Sequence, residues 1–277
     1  IEKPDFDMIS VTSGPGLEPA LWVGINFARA LSIIWQIPVM PVNHMEGHIV
    51  SVLNEETRDK VVFPAVALLI SGGHTELIKI NNWGDYEILG KTKDDAVGEA
   101  FDKVARLLGK DYPGGPEISR MAQEAREKNL VPGDFDIKLP RPMLNTDDFD
   151  FSFSGLKTAV LYLVKNLKES KGDLDEETSN MIALEFENAA TEVLLKKTTR
   201  ALETVNASTL IIGGGVIANK FIRKTFTEKL LDTTVLIPEF SLATDNAVMI
   251  GIASFLKSFK VEPEVGTEIT ANGGLQL

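Results

Sequence analysis

Apolar residues recur along this chain with two alternating periods, and each period predicts a different kind of secondary structure. Short apolar runs bounded by turn residues predict β-strands at residues 7–12, 38–42, 65–70, 75–80, 209–212 and 235–238. Apolar positions at helical spacing predict α-helices at about 19–36, 44–55, 96–109, 116–128, 154–168, 176–205, 219 onward and 246–259. The alternation of the two periods predicts an α/β fold.

Turn and polar segments divide this pattern. The segment Ser71-Gly72-Gly73-His74 separates two strands and predicts a hairpin, and the Pro-rich stretch 132–142 predicts a connector. The polar residues 54–60 give the best lobe boundary. We therefore expect a first lobe from residues 1–63, completed by 245–277, and a second lobe from residues 64–244.

Composition narrows the classes of function. The chain has 277 residues, 44% of them apolar, and its mean hydropathy is near zero, so it can bury one large core or two lobes. It has no cysteine, which excludes disulfides and thiolate chemistry. A net charge of −12 argues against autonomous nucleic-acid binding through a broad basic surface. Without an apolar run of about 18 residues or a signal peptide, we expect a soluble cytoplasmic protein that does not span a membrane.

Two of the three histidines, His44 and His48, are one helical turn apart. Side chains at this spacing share a helix face, so the two imidazoles can bind one divalent metal. A zinc peptidase has the same histidine spacing with its acid at the second position. Here the acid is Glu46, which points roughly 200° away from His44 on a helix, off the metal face. The pair therefore predicts a metal site that is not a peptidase site.

Glycine turns follow three of the apolar strands, at Gly14 and Gly16, at Gly72 and Gly73, and at 213–215. Such turns can present backbone N–H groups to a phosphate. Ordinary turn formation is the default explanation of any one of them, whereas three on an α/β chain indicate phosphate binding between lobes. The third turn also fits a dinucleotide fingerprint, Gly213-x-Gly215-x-x-Ala218, with Glu239 after the next strand. No tyrosine or histidine near it offers an acid for hydride transfer, which disfavours a dehydrogenase.

Seven ordered motifs resemble one family. They are Val42–His48, Leu69–Thr75, Asp94–Lys103, Tyr112–Pro116, Phe151–Lys157, Gly213–Asn219 and Thr244-Asp245-Asn246. Together they resemble the TsaD family, the tRNA adenosine threonylcarbamoyltransferases once described as O-sialoglycoprotein endopeptidases. The resemblance covers nearly the whole chain. Family members begin with a further N-terminal segment, whereas this chain opens at Ile1 a few residues before a strand, so we expect an N-terminally truncated chain with an incomplete first lobe.

The resemblance implies a fold, a site and a reaction. The fold would be the two-lobed actin-like ATPase (ASKHA) architecture, with ligand and metal between the lobes. One divalent ion per chain, iron or zinc, would be held by His44, His48 and Asp245. Threonylcarbamoyl-adenylate would be bound by Leu69, Ile70, Ser71, Gly72, Gly73, Asp102, Gly115 and Asn219. The threonylcarbamoyl group would pass from threonylcarbamoyl-AMP to the exocyclic amine of the adenosine 3′ to the tRNA anticodon. ATP or AMP, tRNA and TsaB- and TsaE-like proteins would be the partners.

Several residues keep alternative interpretations at this stage. Asp245 can simply favour a helix N-terminus, with Thr244 as its cap, and Asp102 can pair with Arg106 one turn later. Asn219 can merely begin its helix. The role of His74 stays open, and no residue is predicted to be catalytic. Two other functions also remain, a nucleotide-binding ASKHA scaffold without activity and a metallopeptidase.

Overall fold

The first of two sheets contains the N-terminal strands. The computed structural model describes residues 2–3, 5–135 and 137–277, so Ile1, Pro4 and Asp136 of the expected lobes and connector lie outside the described residues. Strand β1 (Ile9–Gly14) runs parallel to β2 (Val39–Asn43), and helix α1 (Glu18–Trp35) connects them. The last residues of the chain pack against this sheet through a bridge from Val39 to Glu264 and a hydrogen bond from Asn272 N–H to the Ser13 carbonyl.

The second sheet has five strands in the order β5-β4-β3-β6-β7. Strand β3 (Ala65–Ile70) pairs antiparallel with β4 (Thr75–Asn82), which pairs antiparallel with β5 (Asp85–Lys91). On its other side β3 runs parallel to β6 (Thr209–Gly213), which is followed by β7 (Thr234–Leu236). Strands β3 and β6 are buried along their whole length, as expected for central strands covered on both faces.

Helices cover both faces of this sheet because alternate residues of a strand point to opposite sides. Val66, Leu68 and Ile70 belong to a core shared with α3 (Val97–Leu107), α4 (Gly114–Glu127), α5 (Ser154–Lys171), α6 (Glu176–Val205) and α7 (Lys220–Lys229). Leu69 and the alanines of β3 face a second core, shared with α2 (His44–Val50) and α8 (Ala247–Ser258). The helix that carries both histidines therefore lies directly against the central strand.

The sequence predicted most of these elements, and the structure corrects two of them. Strand β5 was not predicted, since its residues are mostly polar and only Gly90 is buried, as is usual for an edge strand. Helix α2 ends at Val50 instead of near residue 55. The reason is a local turn in which Asn54 Oδ1 accepts from Glu56 N–H at 2.9 Å and Thr57 Oγ1 donates to the Val52 carbonyl at 2.6 Å.

The expected α/β architecture is confirmed, whereas the boundary between lobes stays a prediction. The tail at 264–277 lies beside the first sheet, as completion of the first lobe would require. However, residues of β2, α2, β3 and α8 share one apolar core, so packing is continuous between the two sheets. Among the described residues, no helix is long and apolar enough to cross a membrane.

Candidate metal centre and ligand cleft

His44, His48 and Asp245 converge although 197 residues separate His48 from Asp245 in the sequence. Helix α2 is capped by Asn43, whose Oδ1 accepts from Met45 N–H at 2.8 Å. Both imidazoles lie on one face of this helix because they are four residues apart. Their ring centroids are 4.7 Å apart. The Nε2 atom of each histidine lies 3.2 Å from Asp245 Oδ1.

Asp245 comes from the loop before α8, and it does not cap that helix. The cap is Asn246, whose Oδ1 accepts from Met249 N–H at 3.0 Å, so the alternative assignment of Thr244 as the cap is wrong. Hydrogen bonds from His44 and His48 hold the pKa of the Asp245 carboxyl far below its usual range. Asp245 thus stays an anion that faces two imidazoles.

The cluster has the chemistry and the spacing of a divalent metal site. Ligand atoms that share a tetrahedral ion at about 2.1 Å are roughly 3.4 Å apart, close to the 3.2 Å between each imidazole and Asp245. His48 is only 2% exposed, and its Nδ1 has no hydrogen-bond partner within the described part of the chain. Two imidazole nitrogens and a carboxylate suit zinc or iron.

Glu46 is separated from this cluster, as its position on the helix predicted. Its Oε1 accepts a hydrogen bond from the Tyr86 hydroxyl at 3.2 Å. Burial raises the pKa of the Glu46 carboxyl, and it also raises the pKa of Tyr86. Glu46 therefore packs between α2 and β5 and is not available as the base of a metallopeptidase.

The hairpin turn after β3 is held by its own backbone. Ser71 N–H donates to the His74 carbonyl at 2.9 Å, and Ser71 Oγ accepts from the N–H groups of Gly73 and His74 at 3.3 and 3.0 Å. Gly72 and Gly73 face open space where a side chain would project. The side chains of Leu69 and Ile70 are buried in opposite cores, so only their backbone can reach a ligand.

The glycines after β6 differ from those of the hairpin because they pack against backbone. A Cβ at Gly213 would lie 2.5 Å from the His48 carbonyl oxygen, and one at Gly214 would lie 2.5 Å from the Ile70 carbonyl oxygen. Gly214 also has φ +93°, a conformation that side chains disfavour. This turn therefore brings the histidine helix and the hairpin together, and only Gly215 is open.

The structure does not support the interpretation of this turn as a dinucleotide-binding fingerprint. Residues 215–218 form a 3₁₀ turn, and α7 begins only at Lys220, so no α-helix N-terminus follows the glycines directly. Glu239 is exposed on the surface after β7. The geometry that a dehydrogenase requires at its pyrophosphate is missing from this segment.

Asp102 contacts the start of α4, next to Gly115 in the sequence of that helix. Asp102 Oδ1 accepts from Gly114 N–H at 2.7 Å, in place of the alternative pairing with Arg106. Gly114 packs tightly against Asp102 and Ala105, whereas Gly115 faces open space. One oxygen of Asp102 thus holds the helix start in place beside an open glycine.

Asn219 is the N-cap of α7, and it also contacts a residue that sequence reasoning missed. Its Oδ1 accepts from Ile222 N–H at 3.0 Å, and its Nδ2 donates to Glu187 Oε1 at 2.6 Å. Glu187 is fully buried, and burial raises its pKa even though Arg126 lies beside it. An acid between the apolar residues of α6 was the available sequence signal, because buried acids are rare unless they are paired.

His74 lies at the edge of a cavity of about 280 Å³ that is also lined by Pro15, Met45, Gly73 and Gly273. Burial lowers the pKa of its imidazole, and the proximity of His44 and His48 lowers it further. His74 is therefore close to the metal cluster without belonging to it among the described residues. The first glycine turn borders the same cavity through Pro15.

Solved structures resemble the fold. The crystal structure of full-length HypF in its phosphate- and nucleotide-bound form matches 93% of this chain and 40% of HypF, with a TM-score of 0.55 and 13% identity. The HypF structure from T. kodakarensis matches 91% of this chain and 41% of HypF, with a TM-score of 0.58 and 14% identity. This chain spans about two fifths of each HypF chain. The similarity confirms the expected ASKHA-type fold.

Sequence comparisons give the family. The family model of the tRNA N6-adenosine threonylcarbamoyltransferase TsaD matches residues 1–252. A protein of that name from Chromobacterium violaceum is 46% identical over 269 residues, covering 96% of this chain and 76% of the relative. Another from Halalkalibacterium halodurans is 40% identical over 279 residues, covering 100% of this chain and 77% of the relative. The chain therefore belongs to the TsaD family of tRNA N6-adenosine threonylcarbamoyltransferases.

Proposed function

We propose that this protein transfers the threonylcarbamoyl group from threonylcarbamoyl-AMP to the exocyclic amine of the adenosine 3′ to the anticodon in tRNA, forming t6A. The observation that carries the proposal is the convergence of His44, His48 and Asp245 beside the glycine turns, in a chain of the TsaD family. A scaffold without activity would have no use for such a cluster. A metallopeptidase would need a base that Glu46 cannot supply.

A resident metal ion, iron or zinc, would be held by the two imidazole Nε2 atoms and by Asp245 Oδ1. When bound, such an ion supplies Lewis-acid stabilisation of oxygens that gain negative charge. His48 is the most enclosed of the three ligands, whereas Asp245 is 77% exposed. The exposed carboxylate side of the cluster is therefore the side on which a substrate can approach.

The remaining residues have the task of holding the adenylate. Backbone groups from Leu69 to Gly73 would face the phosphate or carbamoyl oxygens, since the hairpin turn is open there. Gly115 and Asn219 would approach the nucleoside part from the other side, and Asp102 fixes the helix start next to Gly115.

The reaction is acyl transfer from a mixed anhydride in which AMP is already a good leaving group. Hence the protein needs no covalent nucleophile, in agreement with the absence of cysteine from the sequence. Its main contributions would be to orient the incoming amine and to exclude water from the anhydride.

The negative charge of the chain favours a reaction in which partner proteins help to bind the tRNA. A net charge of −12 gives little electrostatic attraction for a tRNA backbone, because non-specific nucleic-acid affinity depends on cationic contacts to phosphates. We propose that TsaB- and TsaE-like proteins help bring tRNA to the site and that the reaction takes place in the cytoplasm.

The test is reconstitution with defined components. The metal-loaded protein and its partner proteins are incubated with threonylcarbamoyl-AMP and an unmodified tRNA, and nucleosides are analysed by mass spectrometry. We expect t6A in this tRNA and none in a control tRNA with guanosine at the target position. Nucleotide binding without t6A would support the scaffold, and metal-dependent cleavage of a protein substrate would support the peptidase.

A further inference from the structure

Glu187 is a fully buried carboxylate to which the proposed reaction gives no part. It lies in α6 with 0% exposure. Its Oε2 is 2.5 Å from Arg126 Nη1, and Ser119 also hydrogen-bonds to the carboxylate. A buried charge is costly unless it is paired and hydrogen-bonded, and replacement by apolar residues often stabilises a protein. Glu187 meets the condition of pairing and hydrogen bonding, and the partners that meet it indicate what the residue does besides packing.

Its third contact points to that role. Glu187 Oε1 accepts from Asn219 Nδ2 at 2.6 Å, while Asn219 Oδ1 accepts from Ile222 N–H at 3.0 Å. These two bonds fix which end of the amide is oxygen and which is nitrogen, and they fix the plane of the amide. The second N–H of Nδ2 and the second lone pair of Oδ1 are left for a ligand.

The same carboxylate connects Asn219 to α4. Arg126, in the last turn of α4, donates to Glu187 and to Asn188 Oδ1 at 2.8 Å, and it stacks on the Phe221 ring at 3.5 Å. Ser119 is four residues after Gly115 on the same helix. Glu187 thus connects α4, which carries Gly115 in its first turn, to Asn219, the N-cap of α7.

We propose that Glu187 is a positioning residue for the adenylate site: it orients the Asn219 amide and holds this amide at a fixed position relative to Gly115. The inference rests on the proposed function, in which Asn219 contacts the adenylate. Glu187 itself is enclosed and touches no ligand. The proposal therefore predicts that its effect on binding passes through Asn219.

Two double variants isolate this effect, because they differ in whether position 187 offers an acceptor oxygen to Asn219 and Ser119. Both replace Arg126 with methionine, which avoids leaving an unpaired buried charge. Glu187→Gln with Arg126→Met keeps a carbonyl oxygen for the Asn219 amide, and Glu187→Leu with Arg126→Met removes it at similar volume. We expect calorimetric titration with AMP to give an affinity near wild type for the glutamine pair and at least tenfold weaker for the leucine pair.

A neighbouring ion pair on the same helix provides the control for packing. Glu185 is also nearly buried, but it pairs with Arg141 and accepts from Leu139 N–H at 3.1 Å, away from Asn219. Glu185→Leu with Arg141→Met should leave AMP affinity unchanged even where it alters stability. Loss of AMP binding in this control equal to the loss in the leucine pair would overturn the inference.

A double-mutant cycle tests whether the effect passes through Asn219. In the Asn219→Ala background, changing glutamine to leucine at position 187 should have no further effect on AMP affinity. Additive losses of AMP affinity in this cycle would overturn the positioning role. Equal AMP affinity of the glutamine pair and the leucine pair, with Asn219 unchanged and both proteins folded, would overturn it too. Absence of AMP binding by the wild-type protein is a different result, which would overturn the proposed adenylate site together with the inference.

Discussion

The candidate metal cluster and the proposed adenylate cleft are built from different parts of the chain. The cluster consists of three side chains, from α2 and from the loop before α8. The cleft is mostly backbone at glycine turns, with Asp102 and Asn219 holding helix starts. A side-chain site is defined by residue type and can be broken by removing one group. A backbone site is defined by shape and is broken by adding atoms.

The glycines show the consequence of this difference. Gly72, Gly73, Gly115 and Gly215 face open space, where a ligand can approach. Gly213 and Gly214 instead face carbonyl oxygens of the protein itself. Gly213 and Gly214 hold the cluster and the cleft together. A substitution at either position should therefore lower the stability of the fold and leave ligand affinity unchanged.

The largest expected effect is on the metal. His48→Ala removes the most enclosed ligand, so the purified variant should lose stoichiometric metal altogether, as measured by elemental analysis. His74→Ala is the matched control, because His74 is near the cluster but outside it. Full metal content in His48→Ala would refute the site, and loss in His74→Ala would show that His74 is a fourth ligand.

Gly214→Ala should be the most destabilising of the glycine changes. A left-handed φ costs a side chain about 1–3 kcal/mol, and overlap with a fixed carbonyl costs about as much again. We expect the free energy of unfolding in urea to fall by about 2–6 kcal/mol. Gly215→Ala, the adjacent open position, should cost less than about 1 kcal/mol. Equal free energies of unfolding for the two variants would contradict the distinction between glycines that face protein backbone and glycines that face open space.

Gly72→Ala should act on affinity alone. Its new methyl group meets no protein atom within 4 Å, so the fold should be unaffected. If the hairpin backbone binds the phosphate, the methyl group prevents close approach, and AMP affinity should fall about tenfold, or about 1.4 kcal/mol. Circular dichroism verifies folding. Native affinity in the folded variant would place the phosphate away from this turn.

The sequence predicted the cluster better than the cleft for a physical reason. Two histidines at helical spacing identify their own chemistry, and the family motif supplied Asp245 from far along the chain. The sequence does not show which atoms surround a glycine, so it could not distinguish Gly72 from Gly214. Apolar runs predicted the hairpin and the buried strands, but no such run predicted the polar edge strand β5.

Glu187 shows a further limit. Its burial and its contacts with Arg126 and Asn219 depend on the packing of α4, α6 and α7, which no local pattern encodes. Asp102 is similar, because its partner is the backbone of Gly114 and not the charged residue one turn along α3. Tertiary contacts determined the role of each of these acids.

The smallest effect concerns Glu46, which shares α2 with the two histidines but points away from their face. Glu46→Gln keeps an oxygen that can accept from the Tyr86 hydroxyl, so the packing between α2 and β5 should persist. We expect unchanged metal content and a change in the free energy of unfolding of less than about 1 kcal/mol. Glu46→Ala is the matched variant that removes the acceptor and should destabilise more, because the half-buried Tyr86 hydroxyl then loses the acceptor for its proton. Loss of metal in Glu46→Gln would mean that the acid reaches the cluster, and the separation of the two faces of α2 would be wrong.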